Sequence, residues 1–584
     1  MPTETQLAKA LALIRRGASA EAESLLRSAL EAVQPSAEAL NLLAFSIQQQ
    51  GRLAESVEIW AEATRLEPTR SELFSNLAGA QLALRREAEA AASARQAINL
   101  DPSRADAHAN LGGALRRLGQ WEEAVSHLRR ASELRPDFAS YRNNLGDVLQ
   151  QLGRIDEAIP LLRSVVADHP ANLKARSDLL MAMNYGDAVY GADLHEEARR
   201  YGAAANASIA GKPRPVLVPR EPGQSLRIGL VSADLRTHSV ARFLPDALTG
   251  LKTRGVQLFA YPTWAGEDQV TAQLRRLFAG WTPIDRMSDR AAAHAIAADN
   301  LDILIDLSGH TGGNRLPVFA FRPAQVTATW IGYSGTTGLE TMDYIIADRY
   351  VLPPEDERFY SERPWRLPDC YLLFSPAEDG PEIAPLPAAA TGRVTFGSFN
   401  NLSKIGDDTL DAWARILKGV PGSRLVLKSP TLPEDVARRL MVARLAVRGI
   451  EEARLEILGR IPQAESHLSA YSAIDIALDP FPYAGTTTTF EALWMGRPVV
   501  TLRGNRFTAR VGDSVLSNLG LTDWIAPDVD AYVDLALRKA ADISSLQQLS
   551  ASLRDRLRAS PLGDADRFAD NLLNAFNGML ASRT

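Results

Sequence analysis

The chain has 584 residues, too many for one hydrophobic core, so about three domains are expected. Hydrophobic residues make up 46% and charged residues 23%, as in ordinary globular proteins. The formal net charge of −6 gives no support to nucleic-acid binding, and one cysteine, Cys370, excludes an internal disulfide and fits a reducing compartment.

The opening residues, MPTETQLAKALALIRRG, carry neither a membrane-length apolar run nor a signal-peptide pattern. A cytoplasmic location without membrane contact is therefore the expectation. A 34-residue period follows at once: 3–36, 37–70, 71–104, 105–138 and 139–172. Small residues recur at Ala44, Ala78, Gly112 and Gly146, and again at Ala22, Ser56, Ala90, Ala124 and Ala158. Prolines recur at Pro68, Pro102, Pro136 and Pro170; glycines recur at Gly17, Gly51, Gly119 and Gly153, with Arg85 breaking that column. This is the pattern of a helix hairpin. Small residues let two helices cross closely, glycine ends the first, and proline stops the second. The units resemble tetratricopeptide repeats. The first unit diverges most, its proline falling at Pro35, as in a capping repeat.

Asn76, Asn110 and Asn144 form another column at the same period. Asparagine is mildly unfavourable inside a helix. Stacked, the three could form an amide ladder along a groove that binds an extended peptide. They could equally be exposed polar residues inherited by duplication. Leu42 occupies the position in the second unit, with Asn41 one place earlier.

Residues 173–224 read as a helical connector packed on the last repeat, ending in a proline-rich linker from 211. Apolar runs at 226–231, 256–261, 303–307, 326–331 and 344–347 then alternate with helical stretches, which implies a parallel sheet in a first α/β domain, 225–380. A linker at 380–392 precedes a second series, 392–584, with strands expected at 394–397, 424–427, 455–458, 474–478 and 499–502. The last helix, about 564–580, is expected to return to the first domain.

The run Gly485-Thr486-Thr487-Thr488-Thr489 lies between the 474–478 strand and a short helix at 490–495. Strand, Gly/Thr turn, helix and strand is the layout of a nucleotide site at the carboxyl edge of a parallel sheet. Four hydroxyls and free backbone N–H groups at a helix N-terminus favour a phosphate. A plain threonine cap is the competing reading. His238 and His310 follow other strands and could handle a proton near neutral pH, beside Asp234 and Asp306. Lys404, just past the first strand of the second series, could neutralise a departing diphosphate or be a solvated surface lysine. His467, on an apparent helix, could cap or pack. The strings Asp528-Val529-Asp530 and Asp564-Ala565-Asp566 match a metal-binding pattern, but both precede helices, where capping is the better reading.

Five segments together carry a family resemblance: LRIGLVSADLRTHSVARF at 226–243, GHTGGNRLPVFAFRPAQV at 309–326, WIGYSGTTG at 330–338, FGSFNNLSKI at 396–405 and DPFPYAGTTTTFEALWMGRPVVTL at 479–502. With the preceding repeats, the chain resembles the O-linked N-acetylglucosamine transferase family, SPINDLY-type proteins included, in a bacterial-type form. The resemblance implies a tetratricopeptide superhelix followed by two Rossmann-like domains of the GT-B type. It implies inverting, metal-independent transfer from UDP-N-acetylglucosamine to Ser or Thr of proteins, with no cofactor and with protein acceptors entering along the repeat groove.

Carried over by position, His238 matches the family's active-site histidine and Lys404 the lysine on the donor diphosphate. Asn401 stands where animal enzymes have a glutamine near the nucleotide. His467 matches a histidine beside the uracil, and Pro462 falls at a backbone contact to the base. Thr487 and Thr488 match threonines at the phosphates, and Glu491 takes the place of an aspartate on the ribose. Thr486 replaces a histidine and Ala470 an arginine of the animal enzymes, departures that sit around the nucleotide. The general base stays open between His238, a nearby aspartate and a donor phosphate oxygen. Competing readings are another donor (UDP-glucose or GDP-fucose), an asparagine acceptor, or a repeat scaffold without catalysis.

Overall fold

A computed structural model describes residues 2–32, 34–218, 223–376, 380–428, 433–459, 461 and 464–582. The chain forms two compact units, Met1–Gln150 and Gln151–Thr584.

The first unit is built from helix hairpins: Glu4–Arg15 with Ser19–Ala32, Ala37–Gln49 with Leu53–Leu66, Ser71–Ala83 with Glu87–Leu100, Ala105–Arg117 with Trp121–Leu134, then Ala139–Gln151. The period is visible in the packing. Ala22, Ala44, Ser56, Ala78, Ala90 and Ala124 are fully buried where paired helices cross. A Cβ on Gly112 would stand 2.6 Å from Leu128 Cγ, so only glycine fits that crossing. Gly17, Gly51 and Gly119 end their helices at φ of +78°, +82° and +78°. Arg85 takes φ +59° at the same place in its repeat, a left-handed backbone that disfavours a side chain. The divergent first unit opens on a capping box, in which Thr3 and Gln6 exchange side-chain-to-backbone bonds.

The second unit begins with the helix Ile155–Asp168. The connector helices Leu173–Tyr185 and Gly191–Ile209 follow. The first of these packs on Ile155–Asp168 as expected, but most of the burial lies elsewhere. Ala198, Tyr201, Ala205 and Ile209 join the core of the first α/β lobe with Leu316, Phe319 and Phe321. Gly202 lets the second connector helix touch loop backbone: a Cβ there would stand 1.9 Å from the Gly338 carbonyl oxygen.

Two parallel sheets complete the unit. The first contains β1 (Arg227–Ser232), β2 (Gln257–Pro262), β3 (Gly280–Trp281), β4 (Ile303–Asp306), β5 (Val326–Thr329), β6 (Tyr344–Asp348) and β7 (Arg363–Leu367), in the order β3-β2-β1-β4-β5-β6-β7. The second contains β8 (Thr395–Ser398), β9 (Arg424–Lys428), β10 (Leu455–Leu458), β11 (Ile476–Leu478), β12 (Val499–Leu502) and β13 (Ile525–Ala526), in the order β10-β9-β8-β11-β12-β13. Strand order reverses beside β1 in one sheet and beside β8 in the other. Such switch points open a crevice at the strands' carboxyl ends. The two doubly wound lobes of this unit are the GT-B arrangement.

The closing helix, Ala565–Ala581, crosses back to the first lobe as the sequence suggested. Arg254 binds Asp566 and Asp570, Arg567 binds Asp369, and Phe568 stacks on Trp330 at 6.2 Å. The 380–392 segment is less linker-like than its prolines imply. It contains the short helix Pro387–Thr391, whose Ala388 N–H donates to Asp475 Oδ1 at 2.9 Å.

Candidate donor site

The second sheet's switch point brings together the loop after β8 and the loop after β11. The helix after β11 starts earlier than expected, at Thr487, and runs to Trp494 with Thr486 as its N-cap. The first amides of a helix lack intrahelical acceptors, so this end presents donors to an anion. Gly485 allows the close turn: a Cβ there would stand 2.5 Å from Thr489 Oγ1 and 2.7 Å from Asp479 Oδ1.

The four threonines divide between two tasks rather than all converging outward. Thr489 is buried, and its hydroxyl donates to Asp479 at 3.1 Å. The Thr488 hydroxyl donates to Asn400 Oδ1 at 3.0 Å, linking the two loops. Thr486 makes no side-chain cap bond, and Thr486–Thr488 are half-buried at the helix end.

Lys404 comes from the other loop. Its Nζ donates to the Ala484 carbonyl at 3.0 Å and stands 4.2 Å from the centre of the Tyr483 ring. The lysine is thus bound to the residue just before Gly485. Desolvation pushes its pKa down to about 8, against the pull of Asp479. Asp479 itself is raised to about 6, chiefly by burial.

A second cluster lies further along the same helix. His467 Nε2 pairs with Glu491 Oε2 at 2.9 Å, and Tyr471 OH donates to the same oxygen at 3.3 Å. Lys428 Nζ donates to His467 Nδ1, so the imidazole is the Nε2–H tautomer and donates to the carboxylate. Burial lowers the Lys428 pKa, opposed by Glu491.

Across the crevice, the loop after β1 carries His238. Its Nδ1 accepts from the Val240 N–H at 3.3 Å and lies 3.6 Å from Asp234 Oδ1. Burial holds the imidazole below its ordinary pKa while Asp234 pulls the other way, and burial raises Asp234. The same loop reaches the threonine helix through Phe243, whose ring meets Phe490 edge-on at 5.6 Å.

The glycosyl transferase family 41 model matches residues 215–376 and 385–572. The chain belongs to glycosyltransferase family 41. Tetratricopeptide repeat models match 103–171 and 143–213. The chain is 40% identical over 364 residues to an Arabidopsis thaliana protein named "probable UDP-N-acetylglucosamine–peptide N-acetylglucosaminyltransferase SPINDLY", covering 62% of this chain and 40% of that one. It is 37% identical over 425 residues to the Oryza sativa protein of the same name, covering 70% and 45%. The match thus spans less than half the length of these plant relatives. Among solved structures, a mutant O-GlcNAc transferase from Thermobaculum terrenum is 32% identical, with a TM-score of 0.80, covering 88% of this chain and 98% of that one.

Within the family 41 frame, the structure gathers Lys404, Asn401, Thr486, Thr487 and Thr488 at one switch point, with Glu491 further along the threonine helix and His467, on the separate helix Ala464–Ser469, paired to it. Asn401 caps the short turn Leu402–Lys404, accepting from the Ser403 N–H at 3.4 Å. Pro462 lies outside the described residues. Two residues that sequence reasoning missed are Asn400, which binds Thr488, and Lys428, which binds His467. Lys428 had a signal: it is a lysine directly after the apolar run Leu425–Leu427, at the carboxyl edge of its strand.

His310 is a structural residue and not a proton carrier. It is 2% exposed, with Nδ1 paired to the Ser177 hydroxyl at 3.0 Å and Nε2 to the Thr337 carbonyl at 3.1 Å. Burial pushes its pKa down to about 3, so it stays neutral. Asp528 and Asp564 cap helices, accepting from the Ala531 N–H at 2.8 Å and the Arg567 N–H at 3.0 Å.

The asparagine column is partly spent on the repeats themselves. Asn76 Nδ2 donates to Asn41 Oδ1 at 3.0 Å, and Asn110 Nδ2 to the Ser75 carbonyl at 2.9 Å. Asn110 and exposed Asn144 share a cleft of about 420 Å³ with Tyr141 and Asp147, whereas Asn76 does not line it.

Proposed function

We propose that the chain transfers N-acetylglucosamine from UDP-N-acetylglucosamine to Ser or Thr hydroxyls of proteins, with inversion and without a metal ion. The reading rests above all on Lys404, a cation held 3.0 Å from Ala484 beside a helix N-terminus. The relatives' names, which pair this donor with peptide acceptors, support the choice of sugar.

The chemistry follows from charge. As the acceptor oxygen attacks the anomeric carbon, the bond to the β-phosphate oxygen breaks and negative charge grows on the diphosphate. Lys404 and the amides at Thr487 and Thr488 are preset for that charge and need no reorganisation. His467 and Glu491 serve the base and ribose end, and His238 faces the sugar from the other lobe. The acceptor's proton passes to His238, Asp234 or a donor phosphate oxygen. The amide cleft of the repeats receives the acceptor polypeptide. The repeat region is assigned to 1–172, the connector to 173–224 and the two lobes to 225–380 and 392–584. Among the described residues no helix is long and apolar enough to cross a membrane, and the proposed setting is the cytoplasm.

The test is hydrolysis and transfer from a panel of nucleotide sugars in EDTA. UDP-N-acetylglucosamine is expected to be turned over fastest. Preferred turnover of UDP-glucose or GDP-fucose would reassign the donor, and no turnover of any would favour a scaffold.

A further inference from the structure

The end of the first connector helix is built into the wall of the donor site. Tyr185, the last residue of Leu173–Tyr185, stacks on Tyr483 with ring centres 5.1 Å apart and planes 23° apart. The Tyr483 ring is the one beneath the Lys404 ammonium, at 4.2 Å. Ser403, buried in the turn Leu402–Lys404, is the residue before Lys404. Tyr185 therefore touches the lysine's support through its ring partner.

This helix end is fixed with unusual thoroughness. Asn184 Nδ2 donates to Tyr333 OH at 2.8 Å. The carbonyls of Asn184, Gly186 and Val189 all accept from the guanidinium of Arg506 in the second lobe. Arg506 is 5% exposed, and desolvation pulls its pKa down to about 10. A buried cation spent on three carbonyls is costly unless every bond is held in good geometry, so it fixes where the segment sits.

A lysine needs such support. Its four-carbon stem carries roughly 2 kcal/mol of rotamer entropy, and Lys404 is held here by one carbonyl and one ring. We propose that Tyr185 is a positioning residue for Lys404, backing the Tyr483 ring so that the ammonium stays aimed at the Gly485–Thr488 helix end; this rests on the donor-site reading of Lys404. The connector is then part of the catalytic site and not only a spacer.

The test is a double-mutant cycle in the full chain, read as kcat and KM for UDP-N-acetylglucosamine in EDTA. Tyr185→Leu is expected to lower kcat by about ten- to a hundredfold, the cost of a misplaced catalytic group, with a much smaller change in KM. Tyr185→Phe keeps the stack and is expected to stay close to wild type. In a Lys404→Met background, Tyr185→Leu is expected to cause no further loss, because the two act as one unit. Wild-type kcat in Tyr185→Leu, or an equal further loss in the Lys404→Met background, would overturn the proposal. If Tyr185→Leu aggregates, Tyr185→Met carries the same cycle. Wild-type turnover by Lys404→Met alone would remove both this proposal and the donor-site reading. An impaired Lys404→Met with a normal Tyr185→Leu would remove only this one.

Discussion

The hydroxyl of Thr489 donates to the carboxylate of Asp479 at 3.1 Å, fastening the threonine helix to the residue that follows β11. Gly485 sits against both groups, so the turn that opens the threonine helix exists only because position 485 has no side chain.

Gly485→Ala is therefore expected to weaken UDP binding by at least tenfold, because a Cβ would push Thr489 and Asp479 apart, 2.5 and 2.7 Å away respectively. Calorimetric titration with UDP checks it, with circular dichroism confirming the fold. Unchanged affinity in a folded variant contradicts the placement of the site.

The Lys404 pKa of about 8 gives a pH dependence. The ammonium is the useful form; it is present below about 8 and lost as pH rises through that value. The kcat/KM for the donor, which reports the free enzyme, is expected to fall above pH 8. In Lys404→Arg the guanidinium stays charged, so the alkaline limb is expected to move out of range even if the rate is lower. A limb that persists unchanged in that variant belongs to another group.

Arg85 takes φ +59° where the other repeats have glycine. Arg85→Gly is expected to stabilise the repeats by about 1 kcal/mol, the lower end of the left-handed penalty for a residue with a Cβ. Thermal or urea unfolding measures it; a lower midpoint contradicts the strain argument.

Replacing the asparagine column separates two roles. Asn76→Ala and Asn110→Ala each remove a bond to a neighbouring repeat and are expected to cost about 1 kcal/mol of stability. Asn144 is exposed, so Asn144→Ala is expected to leave stability unchanged while lowering transfer to protein acceptors and sparing donor hydrolysis. Unchanged acceptor transfer in a triple variant that still folds would show that the repeats serve another partner.

The repeats, the positions of the main strands along the chain and the Gly485–Thr488 turn were legible because each is written in local pattern: a fixed period, short apolar runs, and glycine beside a helix start. β3, β7 and β13 were missed because they lie at sheet edges, where apolar continuity is not required. β3 has two residues, and β7 reads Arg-Pro-Trp-Arg-Leu, with charges that suit an edge. The tie between Lys428 and His467, and the burial of His310 against Ser177, depend on residues 39 and 133 positions apart, and no local pattern records such pairs. The same limit hid the division of labour among the threonines, since the inward turn of Thr489 is set by Asp479.

The most direct measurement of the central claim is mass spectrometry of proteins incubated with UDP-N-acetylglucosamine and the full chain in EDTA, beside Lys404→Met. The account predicts N-acetylhexosamine on Ser or Thr with the wild-type chain, and yields lower by ~10²–10³ with Lys404→Met, as for loss of one preorganised electrostatic partner. Equal modification by both proteins, or modification that appears only when a divalent ion is restored, would contradict it.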